Sequence, residues 1–87
     1  MAKVYIPPQM RDLTGGALET TVEGRTLRQV FAALESQFPG IAARLCDGER
    51  LLPGLAVSID GVVTSRGLLA QVEPTSEIHF LPAIGGG

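Results

Sequence analysis

Residues 26–40, TLRQVFAALESQFPG, carry the clearest periodicity in this chain and limit what it can fold into. Leu27, Val30, Phe31, Leu34 and Phe38 recur at helical spacing and form one apolar stripe, while Arg28, Glu35 and Gln37 occupy the opposite face. Thr26, followed three positions later by Gln29, fits a capping box that opens the helix, and Pro39-Gly40 closes it. One amphipathic helix of about three turns cannot bury its own stripe. The remaining segments must supply a surface for it.

Those segments have the period of two that marks strands. KVYIPP alternates, with Val4 and Ile6 on one face, until Pro7-Pro8 interrupts it. RDLTGG supplies turn residues, and ALETTV resumes the alternation with Leu18, Thr20 and Val22 in phase, which predicts a hairpin. Past the helix, IAARL reads as a short helical turn ahead of a break at Asp47-Gly48. LAVSI puts Leu55, Val57 and Ile59 on one face; Asp60-Gly61 is a two-residue turn signal, and VVTS returns as a short strand. The Asp60 carboxylate is free in this reading to accept a hydrogen bond from a partner. RGLLAQVEPT fits either a short strand or a helical turn. SEIHFLP ends the order with Ile78 and Phe80 in phase and Glu77, His79 and Leu81 facing the other way.

Strand, strand, helix, strand, short strand, strand describes an α+β layer: a mixed sheet of four to five strands packed on one main helix. A β-grasp roll satisfies that order. Its first and last strands lie side by side in mid-sheet, so whatever follows Pro82 leaves from a rigid edge. The expected organisation is one domain over residues 1–82 and a flexible C-terminal tail over residues 83–87.

Composition narrows the function. An 87-residue domain with 45% hydrophobic residues can build one compact core, and a single cysteine excludes an internal disulfide. No run approaches the roughly 20 apolar residues of a membrane span, and MAKVYIPPQM lacks the apolar centre of a signal peptide, so a cytoplasmic protein away from membranes is expected. Net charge is -2 with both signs dispersed, which leaves no basic face for nucleic acid. The lone His79 has no partner at metal-ligand spacing, so no metal site is expected. Cys46 reads as a small apolar filler, since no cationic cluster beyond Arg44 would depress its pKa. Thr14-Gly15-Gly16 lacks the Gly-Lys-Ser/Thr ending of a phosphate loop. Lys3 is the sole lysine, so the chain offers almost no acceptor for self-conjugation.

The last residues are AIGGG. Gly85, Gly86 and Gly87 have no side chains to bury and lose more freedom on ordering than any other residue, a poor way to finish a folded layer. They are well suited to threading a chain end through a narrow channel. Five residues from Ala83 to Gly87 span at most roughly 17 Å when extended, enough to leave one surface and enter a neighbour's pocket.

The final strand through Phe80, Leu81 and Pro82 into a glycine tail resembles the ubiquitin-like sulfur carriers of the MoaD/ThiS family, and the resemblance covers nearly the whole chain. IPPQMRDLTGG, LESQFPGIAARL and FLPAIGGG are most similar to the branch serving mycobacterial-type cysteine biosynthesis. One departure is the ending on three glycines where the family usually has two. The resemblance implies that Gly87 is the reacting group. An E1-like adenylyltransferase/sulfurtransferase would use ATP to adenylate its carboxylate and sulfur would displace AMP, leaving a thiocarboxylate. Gly85 and Gly86 would thread the partner's active site, and His79, Leu81, Pro82 and Ile84 would form the docking surface. The carrier would bind no cofactor and would be no enzyme itself. In the cysteine branch a PLP-dependent cysteine synthase would consume the sulfur. Molybdopterin, thiamin or tRNA thiolation are alternatives within the same chemistry; a ubiquitin-like protein modifier and a non-reactive β-grasp binding module are alternatives outside it.

Overall fold

The apolar stripe does form a helix, α1 (Leu27–Gln37), in the computed structural model of the protein. The structure describes residues 1–82; the expected tail over 83–87, with Ile84, Gly85, Gly86 and Gly87, lies outside the described residues. Thr26 Oγ1 accepts the Gln29 N–H at 3.3 Å, as a cap should. The Gln29 side-chain carbonyl closes the box one residue earlier than expected, on the Arg25 N–H at 2.8 Å. At the other end the Glu35 carboxylate accepts the N–H groups of Gly40 at 2.8 Å and Ala42 at 2.9 Å. These two donors stabilise its charged form and lower its pKa. Gly40, at φ 99°, takes the backbone turn that a side chain would resist.

The strands are β1 (Ala2–Tyr5), β2 (Glu19–Val22), β3 (Cys46–Asp47), β4 (Arg50–Leu51), β5 (Leu55–Ile59), β6 (Val62–Val63) and β7 (Glu77–Pro82). Five of them form a mixed sheet in the order β2-β1-β7-β5-β6, with β1 and β7 parallel and the other pairs antiparallel. First and last strands therefore meet in mid-sheet, as the β-grasp reading required. Val4, Val22, Val57 and Ile78 on the inner face bury against Leu27, Val30 and Leu34 of α1 to make the core. Phe80 joins it from the edge, with its ring 5.9 Å from that of Phe31.

Three expectations change. Leu18 is 60% exposed because β2 starts one residue later, at Glu19. The connection from β1 is not a tight turn; it carries a 3-10 turn, Pro8–Met10, which buries Met10. Asp47-Gly48 is no mere break, since it turns a second, two-stranded sheet in which Cys46 faces Leu51 and Asp47 faces Arg50. An ion pair between Arg28 and Glu49 ties that hairpin to α1. RGLLAQVEPT resolves into a 3-10 turn, Gly67–Leu69, that buries Leu68. The chain after it lies along the start of α1: the Leu27 N–H reaches Ala70 O at 3.0 Å, and the Val72 N–H reaches Arg25 O at 2.9 Å. Gly24 sits so close to this helix end that a Cβ would lie 2.9 Å from Val30 N.

Candidate functional site

The tail predicted to react follows β7, so the site begins with what fixes that strand. Its first residues are held from three directions. Asp60, at φ 53° in the β5–β6 turn, accepts the Glu77 N–H on Oδ1 at 2.9 Å and the Ser76 hydroxyl on Oδ2 at 2.8 Å. Its own N–H donates to Glu77 O at 2.9 Å. The buried Ser76 hydroxyl also accepts the Glu73 N–H at 2.9 Å, and Ser76 O accepts the Lys3 N–H at 2.9 Å. The Glu77 N–H, then the Ser76 hydroxyl, hold the Asp60 carboxyl below its ordinary pKa. Both carboxylate oxygens thus accept bonds from within the domain, while the exposed Asp60 keeps acceptor capacity toward solvent.

From there β7 runs between β1 and β5, with Lys3 beside Glu77, Val4 beside Ile78, and β5 opposite from Ile59↔Ile78 to Leu55↔Pro82. Alternation buries Ile78 and turns Glu77, His79 and Leu81 to the outer face. His79 is half-buried, and its ring lies flat on Tyr5 with centroids 4.2 Å apart and planes 6° from parallel. Leu81 is 39% exposed beside Ala56 of β5. Pro82 is exposed too, but falls in the opposite phase, paired with Leu55 at the strand's end. His79 and Leu81 are therefore brought together on one face, and Pro82 is not. Ile84, Gly85, Gly86 and Gly87 lie outside the described residues.

Tyr5 escaped the sequence reading. Its phase opposite Val4 and Ile6 marked it as outward, but a neighbour across parallel strands depends on register, which no local pattern encodes. Lys3 stands on the same face, 3.9 Å from Glu19 Oε1 and 5.9 Å from the Tyr5 ring centre.

The rest of the described chain holds no reactive constellation. No group of three His, Cys, Asp or Glu side chains is placed to hold a metal among the described residues. Cys46 packs half-buried against the core, with Sγ 3.4 Å from Ala42 O as a donor. Burial pushes its thiol pKa up and the Asp47 and Glu49 carboxylates add to that, the reverse of an activated nucleophile. One concavity lies between Met1, Gly24, Arg25, Gln29 and Pro74, and another between Arg25, Thr26, Gln71 and Pro74. No described helix is long and apolar enough to cross a membrane.

A mixed sheet with parallel first and last strands in mid-sheet, grasping one helix, and a last strand that leads into the C-terminal residues, defines a ubiquitin-like β-grasp protein. The chain belongs to the ThiS family, whose model matches residues 4–87. The curated protein "Sulfur carrier protein CysO" of Mycobacterium tuberculosis (strain ATCC 25618 / H37Rv) is 33% identical over 91 residues, covering 97% of this chain and 96% of that one. Among solved structures, the crystal structure of the Amycolatopsis orientalis BexX/CysO complex contains a chain that matches at TM-score 0.91 and 32% identity, covering 100% of both chains. The crystal structure of Mycobacterium tuberculosis CysO, described as an antigen, matches at TM-score 0.87 and 28% identity over 97% of this chain and 100% of that one. The small archaeal modifier protein 1 of Methanosarcina acetivorans, at 22% identity and TM-score 0.77 over 99% of this chain and 95% of that one, shares the fold.

Proposed function

We propose that this chain is a sulfur carrier for cysteine biosynthesis whose reacting group is the Gly87 carboxylate. The carrying observation is a ThiS-family match that runs through residue 87 on a chain whose last strand is the centre of the sheet. The relative named a sulfur carrier protein supports the same reading, and a relative found in a complex supports one that works with partner proteins.

A carboxylate with a pKa of about 3.3 to 3.7 is ionised at neutral pH and is a poor electrophile. Its oxygen attacks the α-phosphorus of ATP held by an E1-like partner, pyrophosphate leaves, and an acyl-adenylate forms. A sulfur nucleophile then displaces AMP. Hydrosulfide gives the thiocarboxylate directly, whereas a persulfide gives an acyl disulfide whose S–S bond a second thiol must cleave. The thiocarboxylate sulfur of Gly87 then becomes bonded to Cβ of an activated serine held by a PLP-dependent cysteine synthase; the Cβ–O bond breaks, and the activating group leaves with that oxygen. In this scheme the carrier supplies no acid or base and no resident cofactor. It contributes Gly85 and Gly86 as a slender lead-in and an outer sheet face, with His79 and Leu81 beside the root of the tail, against which the partner seats. Pro82 ends the strand in the opposite phase to that seat. The adenylation draws on ATP, which fits a cytoplasmic site of action.

A chain lacking residues 86 and 87 tests the class of function: a carrier loses charging completely, whereas a plain binding module keeps its partner. Offering the thiocarboxylate form to a cysteine synthase with an activated serine tests the pathway. A cysteinyl adduct at the C-terminus is expected, and its absence removes the cysteine assignment.

A further inference from the structure

The strand registers assemble a transverse row on the outer face that spans all five strands: Glu19, Tyr5, His79, Ser58 and Val63. Tyr5 and His79 are its centre. Neighbouring strands in a sheet stand about 4.8 Å apart, close enough for planar side chains in one row to stack. Tyr5 and His79 do so, with ring centroids 4.2 Å apart and planes 6° from parallel. On its other flank His79 meets Ser58, which is too small to stack and is itself buried. Of its two cross-strand neighbours among the described residues, Tyr5 is the one that stacks on the imidazole. Lys3 Nζ lies 5.9 Å from the Tyr5 ring centre and 3.9 Å from Glu19 Oε1.

Resting on the carrier reading, we infer that Tyr5 is a positioning residue for docking: it holds the His79 imidazole flat, making with Leu81 a pre-set platform for the adenylating partner. Two observations and the order of the proposed steps select this partner. The platform lies on the strand that leads to Gly87, Leu81 is exposed two residues beyond His79 on the same face, and of the reactions proposed for Gly87 adenylation comes first and is the one that meets the free carboxylate. A stack formed before encounter spares the cost of freezing two side chains at the interface, so its loss weakens association and leaves the chemical step alone. The hydroxyl of Tyr5 has no part in this. The ring does.

The test uses the full chain, wild type and Tyr5→Leu, Tyr5→Phe, His79→Ala and the Tyr5→Leu/His79→Ala pair. Proton NMR of the His79 ring reads the stack itself, and ATP–pyrophosphate exchange with a purified E1-type adenylating enzyme reads docking. In the wild type the imidazole protons are shifted upfield by the tyrosine ring; Tyr5→Leu abolishes that shift and Tyr5→Phe restores it. Tyr5→Leu raises KM for the carrier about three- to tenfold at unchanged kcat. Tyr5→Phe matches wild type, and the double variant is no worse than His79→Ala alone. An unchanged KM in Tyr5→Leu, or effects of Tyr5→Leu and His79→Ala that multiply, would overturn the inference while leaving the carrier reading intact. A wild-type chain that no such enzyme charges would sink the carrier reading, and this one with it.

Discussion

The two ends of β7 are built in opposite ways. At the start, buried Ser76 and Ile78 sit among bonds from the β5–β6 turn, from β1 and from residue 73, so the backbone is fixed on both sides. At the finish, Leu81 and Pro82 are exposed and pair with β5 alone among the described residues. The strand is clamped on both sides at its root and held by β5 at its tip. A carrier needs both: a root that fixes where the tail departs, and a tip that does not compete with the partner for the last residues.

Substitutions at the root should act on stability and those at the tip on docking. Ile78→Ala, which empties a fully buried site, should cost about 2 to 5 kcal/mol in urea or thermal unfolding. Ser76→Ala leaves the Glu73 N–H unpartnered and removes a donor to Asp60; about 1 to 3 kcal/mol is expected in the same assay. Leu81→Ser, at the tip, should move stability by no more than about 0.5 kcal/mol yet raise KM for charging. A Leu81→Ser chain as unstable as Ile78→Ala would erase the contrast.

The smallest expected effect is on acid stability. Asp60 and Glu35 both have folded pKa values below their unfolded ones, so the native state binds fewer protons. The stability they contribute is complete above the unfolded values near pH 4 and is lost as pH falls through the lower folded values. Asp60→Asn keeps a residue tolerant of φ 53° but removes the titration, so the acid limb of a stability–pH curve should become shallower. An unchanged limb would show that the turn does not hold the root through its charge.

Much of the root was legible in the sequence. The stripe of Leu27, Val30, Phe31 and Leu34 and the phase of Ile78 follow from periods of 3.6 and 2 that burial enforces, and the structure buries all five. Asp60-Gly61 was legible as a turn, but its carboxylate's bond to the Ser76 hydroxyl was not, because that depends on where two distant segments meet. The same limit hid the Tyr5–His79 stack. β3 and β4 escaped because two-residue strands are too short to show any period, and the Asp47-Gly48 signal next to Cys46 reads equally as a break or a hairpin. Leu18 misled by being apolar and in phase just before β2, where its carbonyl accepts the Ile6 N–H at 2.9 Å but its side chain is exposed. The tail was read from its composition and family resemblance, and it lies outside the described residues.

The most direct test of the central claim is the intact mass of the chain after incubation with an E1-like enzyme, ATP and a sulfide source. Replacement of one terminal oxygen by sulfur, mapped to Gly87, is the predicted result. An unaltered mass with an enzyme that charges a related carrier under the same conditions would contradict it.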